Sequence, residues 1–188
     1  MAAGDDAAVI VLGDEVMLLT TDMMTEGIDF DLSYFPLKHL GYKAIVRGVN
    51  DILAMNAKPE QVVVALGISA KIGVEALDAL YEGMEHACEE LGVDLVGGDT
   101  TASMNGLVIT ITATGRAKKE DVVYRSGAKE HDLICISSNL GAAYMGLHLL
   151  EREKRVLKGV ENPEPQFGGY EYLLERYLKP RARQNIIN

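Results

Sequence analysis

Apolar and polar residues alternate at the start of the chain in the pattern of two short strands. Residues 7–12 and 15–19 are largely apolar and flank Gly13-Asp14. A Gly-Asp pair between two such runs is typical of a β-hairpin with a two-residue turn. With that turn, Leu12 pairs with Glu15 across the hairpin.

Longer apolar periods follow the hairpin and predict two helices with strands between them. Residues 37–56 follow Pro36 and carry apolar side chains at helical spacing, and residues 74–91 do the same before Gly92. Apolar runs predict further strands at residues 61–68, 93–96 and 106–114. The order β-β-α-β-α-β-β predicts an α+β domain, in which helices cover one face of a mixed or antiparallel sheet.

The pattern changes near residue 126, where polar and turn-forming residues predict a domain boundary. We expect residues 1–126 to form one domain and residues 127–188 to begin a second α/β domain. The pattern of residues 127–188 predicts a strand at 133–137, a helix that ends near Lys154, a loop at 162–165 and a short helix around 172–178. These elements are too few to bury a core of their own, so the second domain is expected to be incomplete.

The composition of the chain argues against several classes of binding partner. Lys and Arg number 18 against 28 Asp and Glu, which gives a formal net charge of −10. This charge argues against a nucleic-acid or polybasic membrane partner, and no apolar run has the length of a membrane span. Cys88 and Cys135 fall on apolar positions and are expected to be buried thiols, which favours a reducing cytoplasm.

Acidic residues concentrate at the open end of the predicted hairpin. If the pairing continues from the turn, Asp6 lies opposite Thr21, and Asp5 lies opposite Asp22. Three carboxylates and the hydroxyls of Thr20 and Thr21 would then converge. Clustered carboxylates repel one another unless a cation lies among them, and hard oxygen ligands select Mg²⁺ or Ca²⁺. The alternative is a solvated acidic strand end.

A second candidate is Gly97-Gly98-Asp99-Thr100-Thr101, which follows the strand predicted at 93–96. Paired glycines let a backbone approach a phosphate closely, and Asp99 could hold the accompanying Mg²⁺. The same residues also suit a simple tight turn.

Three single residues have both a functional and a structural interpretation. Asp51 lies at the edge of an apolar helix stripe, where it could bind a metal or pair with a neighbour such as Arg47. Arg125 could clamp a phosphate or lie free on the surface, and Tyr81 is most simply a core residue. The chain has no nucleophile motif and no Walker A loop.

Several motifs together resemble the thiamine-monophosphate kinase family, within the aminoimidazole ribonucleotide synthase-like ATP-binding superfamily. They occur in the family's order and span most of the first 130 residues. The motifs are Gly4-Asp5-Asp6-Ala7-Ala8-Val9, Thr20-Thr21-Asp22-Met23-Met24-Thr25-Glu26-Gly27, Leu40-Gly41-Tyr42-Lys43-Ala44, Asn50-Asp51-Ile52-Leu53-Ala54-Met55-Asn56-Ala57-Lys58-Pro59, Gly97-Gly98-Asp99-Thr100-Thr101 and Arg125-Ser126-Gly127-Ala128.

The resemblance implies that the γ-phosphoryl group of ATP is transferred directly to thiamine phosphate, with Mg²⁺ to neutralise and align the two anions. It also implies a homodimer joined through the amino-terminal sheets. By motif, the Mg²⁺ ligands would be Asp6, Thr20, Thr21, Asp22, Asp51 and Asp99. ATP would contact Gly97, Gly98, Arg125 and Tyr81.

The chain departs from the family pattern at two points. Asp29 stands where many members have a substrate-contacting His, so Asp29 is the expected contact to thiamine phosphate. The family's Asp-x-Ser-Asp-Gly motif is missing, so this chain is expected to be a fragment and incomplete for turnover. The alternatives are a nucleotide- or metal-binding module without turnover, and a superfamily enzyme with another acceptor, similar to selenophosphate synthetase or to the hydrogenase maturation protein.

Overall fold

A computed structural model describes residues 4–160 and 164–183 of the chain. The loop predicted at 162–165 lies partly outside these residues. The elements are β1 (Ala8–Leu12), β2 (Glu15–Thr25), α1 (Leu37–Ala54), β3 (Lys58–Ile68), α2 (Val74–Leu91), β4 (Asp94–Ala102), β5 (Val108–Lys118), α3 (Ala142–Val156) and α4 (Glu171–Leu178). The predicted order of the first seven elements is confirmed.

Five strands form one mixed sheet in the order β1-β2-β5-β3-β4. All neighbouring pairs are antiparallel except β3 and β4, which are parallel. The predicted α+β class is therefore confirmed. The hairpin register is also as predicted, because Leu12 pairs with Glu15, but the β1–β2 pairing ends at Ala8 and Leu19. The regular pairing does not include the expected pairs of Asp6 with Thr21 and Asp5 with Asp22, although the Asp6 backbone oxygen still lies 3.3 Å from the Thr20 hydroxyl.

Helices α1 and α2 lie against one face of the sheet and bury the core. Along β2 the residues alternate, and Val16, Leu18 and Met24 point inward and are almost fully buried. The two helices approach each other very closely, because a Cβ at Gly41 or Gly83 would lie 1.9 Å from a backbone oxygen of the other helix. Helix α2 ends at Gly92, whose φ of 65° is the left-handed conformation expected of a glycine C-cap.

Strand β4 is longer than the sequence predicts. It runs from Asp94 to Ala102, so Gly97-Gly98-Asp99 belongs to an edge strand rather than to a loop after one. A bulge between Val62 and Val63 shifts the β3–β4 register within this pairing. The strand predicted at 133–137, a segment that the structure describes throughout, is irregular instead. Its residues Leu133 and Ile134 are at least 90% exposed, and Cys135 is exposed, whereas Cys88 is buried as expected.

Helices α3 and α4 pack on each other and on the loop before α1. Tyr34 donates a hydrogen bond from its hydroxyl to Glu151 Oε1 at 2.6 Å, and Lys154 pairs with Asp31. The Phe35 and Tyr177 rings meet edge to face, with centroids 5.6 Å apart. In the described residues, we find no helix with the length and apolar character needed to cross a membrane.

Candidate functional site

Four residues that the sequence predicts as metal ligands lie together beside β2 and α1, and we call them the acidic cluster: Asp6, Thr20, Asp22 and Asp51. Thr20 and Asp22 share the inward face of β2 because successive strand residues alternate. The Thr20 hydroxyl donates to Asp51 Oδ2 at 2.7 Å and lies 3.3 Å from the backbone oxygen of Asp6. Strand β2, helix α1 and the segment before β1 therefore converge on one hydroxyl.

Negative charge is crowded in this cluster. Burial raises the pKa of Asp51, and the hydrogen bond from Thr20 opposes that shift. The nearby carboxylates of Asp22 and Asp6 raise the Asp51 pKa further, while Arg125 acts to lower it. Burial and like charge both disfavour the ionised form, and a cation among these oxygens would reverse that effect.

Two arginines flank the acidic cluster. Arg47 donates to Asp22 Oδ2 and to Asp29 Oδ1, each at 2.7 Å. The Arg125 guanidinium pairs with Asp6 Oδ1, and the Arg125 amide donates to Asp5 Oδ1 at 2.8 Å. Arg125 is thus anchored to the predicted metal site. The sequence offered Arg47 as a partner for Asp51, but Arg47 binds Asp22 and Asp29 instead. Arg47 lies one helical turn before Asp51, and this spacing is the sequence signal that places it beside the cluster.

Asp29, the residue expected to contact the substrate, is held within the protein. One carboxylate oxygen accepts from the Thr25 amide at 2.8 Å and the other accepts from Arg47. Burial acts to raise the Asp29 pKa, but these hydrogen bonds together hold it below its usual value. In this arrangement Asp29 orients Arg47 toward Asp22.

Thr21 and Asp99 do not join the acidic cluster. Thr21 lies on the opposite face of β2, where its hydroxyl is 3.2 Å from the hydroxyl of Thr112. Asp22 pairs with Ile111, Ile111 with Val64, and Val64 with Gly98. Because neighbouring strands lie ~4.8 Å apart, three strand spacings place Gly98 about 14 Å from Asp22. The predicted convergence of Asp99 with the other carboxylates is therefore wrong within one chain.

Asp99 instead belongs to a second region at the sheet edge, which we call the glycine groove: Tyr81, Gly97, Gly98 and Asp99. These residues line an open cavity of about 540 Å³ together with Val64 and other β4 residues. Tyr81 is half-buried and lines this groove as well as packing on the core. The sequence interpretation of Tyr81 as a simple core residue is thus incomplete.

The described residues contain no group of three or more His, Cys, Asp or Glu side chains arranged to hold a metal ion by themselves. The oxygen donors of the acidic cluster nevertheless fit Mg²⁺, which usually takes one or two protein carboxylates and fills its shell with water and phosphate oxygens. The Thr20 hydroxyl and the neighbouring carboxylates, with Arg125 beside them, provide oxygen donors for such an ion and a positive group for its phosphate.

Fold and cluster together define the class of protein. The family model "AIR synthase related protein, N-terminal domain" matches residues 4–117, and the chain belongs to this family. The chain is 32% identical over 184 residues to thiamine-monophosphate kinase of Bacillus subtilis (strain 168), covering 97% of this chain and 54% of the relative. It is 33% identical to thiamine-monophosphate kinase of Aquifex aeolicus (strain VF5), covering 98% of this chain and 56% of that protein.

A solved structure, AaThiL complexed with AMPPCP and TMP, has the same fold over 98% of this chain and 56% of its own length. The TM-score is 0.84 at 30% sequence identity. The resemblance to thiamine-monophosphate kinases is thereby confirmed. The chain spans about half the length of the curated relatives that it matches.

Proposed function

We propose that this chain carries the metal- and nucleotide-binding part of an enzyme that phosphorylates thiamine phosphate to thiamine diphosphate with ATP. The observation that supports this most is the acidic cluster, in which Asp6, Thr20, Asp22 and Asp51 gather beside Arg125. The relatives named thiamine-monophosphate kinase, and a relative complexed with AMPPCP and TMP, support the same substrates. We also propose a domain boundary after residue 126.

Mg²⁺ is the ion that we propose for the acidic cluster. One or two of the carboxylates of Asp6, Asp22 and Asp51 would hold it, with water and phosphate oxygens as the other ligands, and the Thr20 hydroxyl would orient Asp51. When bound, Mg²⁺ would neutralise phosphate charge and align the transferred group. Arg125 would exchange its contact with Asp6 for a phosphate oxygen, to which a guanidinium can donate two hydrogen bonds.

The glycine groove is the second element of the proposed site. Gly97 has open space where a side chain would be, so a nucleotide could approach the backbone of β4 there. Tyr81 offers a ring among the lining residues of the groove, and Asp99 offers a further carboxylate for a metal ion carried by the nucleotide. Thr21 is left out of this assignment because it faces the other side of the sheet.

We further propose a homodimer through the outer face of the sheet. Strand β5 buries Ile109, Ile111 and Ala113 on its inner face, and threonines alternate along its outer face. The apolar character of the outer face comes from Leu19, Met23 and Val63, which are 36–56% exposed. Sedimentation equilibrium should show a dimer that Met23→Glu weakens. We place this enzyme in the cytoplasm, since both Cys88 and Cys135 are free thiols.

An acceptor screen tests the proposed activity. ATP, Mg²⁺ and thiamine phosphate would be incubated with this chain and with any longer form that reaches the length of its relatives, and products would be separated by chromatography. Thiamine diphosphate from the longer form supports the proposal. ATP binding with no product from thiamine phosphate would favour a binding module, and consumption of ATP with another acceptor would favour a different enzyme of the superfamily.

A further inference from the structure

The structure contains a cavity of about 700 Å³ whose charge is opposite to that of the chain as a whole. It is lined by Arg176, Arg181 and Arg183 and by Asn50, Asn56 and Asn139, and we call it the arginine cavity. None of the described residues that line it is an Asp or Glu. Three guanidinium groups without a lining carboxylate are unusual in a chain of net charge −10.

The guanidinium groups retain unused hydrogen-bonding capacity. Arg176 Nε is buried and has no hydrogen-bond partner among the described residues. The ion pair from Arg181 to Glu175 is long, at 3.7 Å, and joins two well-exposed side chains. A buried N–H without a partner is costly, and a bound acceptor would remove that cost.

Two of the other polar residues that line the cavity are fixed by hydrogen bonds to groups outside it. Asn56 Nδ2 donates to the backbone oxygen of Asp121 at 2.9 Å, and the Asn139 amide exchanges hydrogen bonds with the Tyr172 hydroxyl at 2.9 and 3.1 Å. These contacts tie the turn after α1 to the segment after β5, and α4 to the segment before α3. Two asparagines of the lining are therefore held in place, and the exposed Arg181 remains accessible to a ligand from solvent.

We propose that the arginine cavity binds a multiply charged phosphate, such as a diphosphate group on a small molecule. Guanidinium forks match phosphate oxygens in pairs, and three positive charges suit a diphosphate better than a single phosphate. The volume falls within the range of small-molecule sites. This site uses no metal and none of the residues in the acidic cluster or the glycine groove, although Asn50 directly precedes Asp51 on α1. Binding measured in EDTA therefore tests it apart from the proposed kinase activity.

Inorganic pyrophosphate is the probe, titrated calorimetrically into this chain in EDTA at physiological ionic strength. We expect saturable binding with a Kd below roughly 1 mM, weaker binding of orthophosphate, and weaker binding of citrate. Arg176→Gln, Arg181→Gln and Arg183→Gln should each lower the affinity roughly tenfold, since hydrogen bonds to charged groups carry about that much. Arg176→Lys should give an intermediate loss because it keeps the charge but not the fork.

Arg155→Gln is the matched control. Arg155 lies on α3, where its Nε donates to the backbone oxygen of Glu151 at 3.1 Å, and it does not line the cavity. This variant should change the affinity by less than about twofold, because salt screens a distant charge. Circular dichroism would check that each variant is folded. If Arg176→Gln does not fold, Arg181→Gln still tests the proposal, because Arg181 is exposed and its replacement should not disturb the packing. Absence of saturable binding, equal affinity in all three glutamine variants and the parent chain, or citrate binding as tight as pyrophosphate would overturn the proposal.

Discussion

The acidic cluster and the glycine groove differ in what holds them. The side chains of the cluster come from β2, α1 and the segment before β1. Each carboxylate has a partner: Arg125 for Asp6, Arg47 for Asp22 and Thr20 for Asp51. The groove lies on the edge strand β4, where every residue except Leu95 is exposed and the backbone itself forms the surface. The cluster depends on side-chain chemistry, and the groove depends on the absence of side chains.

This difference decides which substitutions each region tolerates. In the cluster, an isosteric change can remove a charge while the packing remains. In the groove, the space around each glycine determines the outcome, and the two neighbouring glycines are not equivalent. A Cβ at Gly98 would lie 1.9 Å from the Val64 backbone oxygen, whereas a Cβ at Gly97 would meet no atom within 4 Å.

The largest effect is expected for Gly98→Ala. The clash is with backbone, so β3 and β4 must move apart, and the free energy of unfolding should fall by about 3 kcal/mol. Gly97→Ala is the matched control and should change stability by less than about 0.5 kcal/mol. Urea titration followed by circular dichroism measures both. If the two variants were equally stable, the close β3–β4 approach at Gly98 would be refuted.

The next effect concerns Asp51→Asn in the cluster. The amide keeps the shape and can still accept from Thr20, but it removes one of three crowded charges. We expect the affinity for Mg²⁺, or for Mn²⁺ as a paramagnetic substitute, to fall roughly 100-fold. Stability without metal should stay equal or rise, because the burial and repulsion that raise the Asp51 pKa disappear.

Asp78→Asn provides the control for that experiment, since Asp78 is an exposed carboxylate on α2. It removes the same charge far from the cluster and should leave metal affinity within about twofold, because salt screens distant surface charges. An Asp51→Asn protein that binds the ion as tightly as the parent would contradict the assignment of the cluster as a metal site. Proton relaxation of water in the presence of Mn²⁺ gives the affinity directly.

A smaller effect, dependent on pH, tests how α4 supports the helix that carries Asp51. Lys43 Nζ on α1 lies 4.8 Å from the Phe35 ring centroid and 4.3 Å from that of Tyr177. Burial, with a smaller contribution from the charge of Arg47 and against the opposing charge of Asp29, lowers the Lys43 pKa to about 8. Above pH 8 the unfolded chain therefore binds more protons than the folded one, so stability rises with pH until the ordinary lysine pKa of 10.5.

Lys43→Met should abolish that rise, which we expect to amount to about 1–2 kcal/mol after allowance for partial exposure. The raised pKa values of Tyr34 and Tyr42 lower stability above pH ~10, where free tyrosine ionises, but they do so in both proteins and cancel in the difference. Thermal unfolding of the parent chain and of Lys43→Met between pH 7 and 10 would measure the difference in stability. Parallel curves for parent and variant would show that Lys43 titrates normally and that α4 does not desolvate it.

The sequence by itself determined the elements whose signals are local. The Gly13-Asp14 turn, the helical apolar period of α1 and α2, and the glycine stop at Gly92 each depend on residues close in the chain. The same applies to the choice of residue types: Asp6, Thr20, Asp22 and Asp51 stand out because hard oxygen donors are clustered in short motifs. Family membership followed from those motifs in their order.

Tertiary structure alone decided where the chain's ambiguous segments lie. Gly97 and Gly98 are poor strand formers, yet they lie within β4 because pairing with β3 satisfies their backbone groups. Residues 133–137 are good strand formers, yet in the described part of the chain they gain no pairing strand and stay irregular and exposed. The side of the sheet separated Thr20 from Thr21, and the distance across the strands separated Asp99 from the cluster. Local pattern sets what a segment can form, but the hydrogen-bonding partner and the distance across a sheet arise only when distant parts of the chain meet.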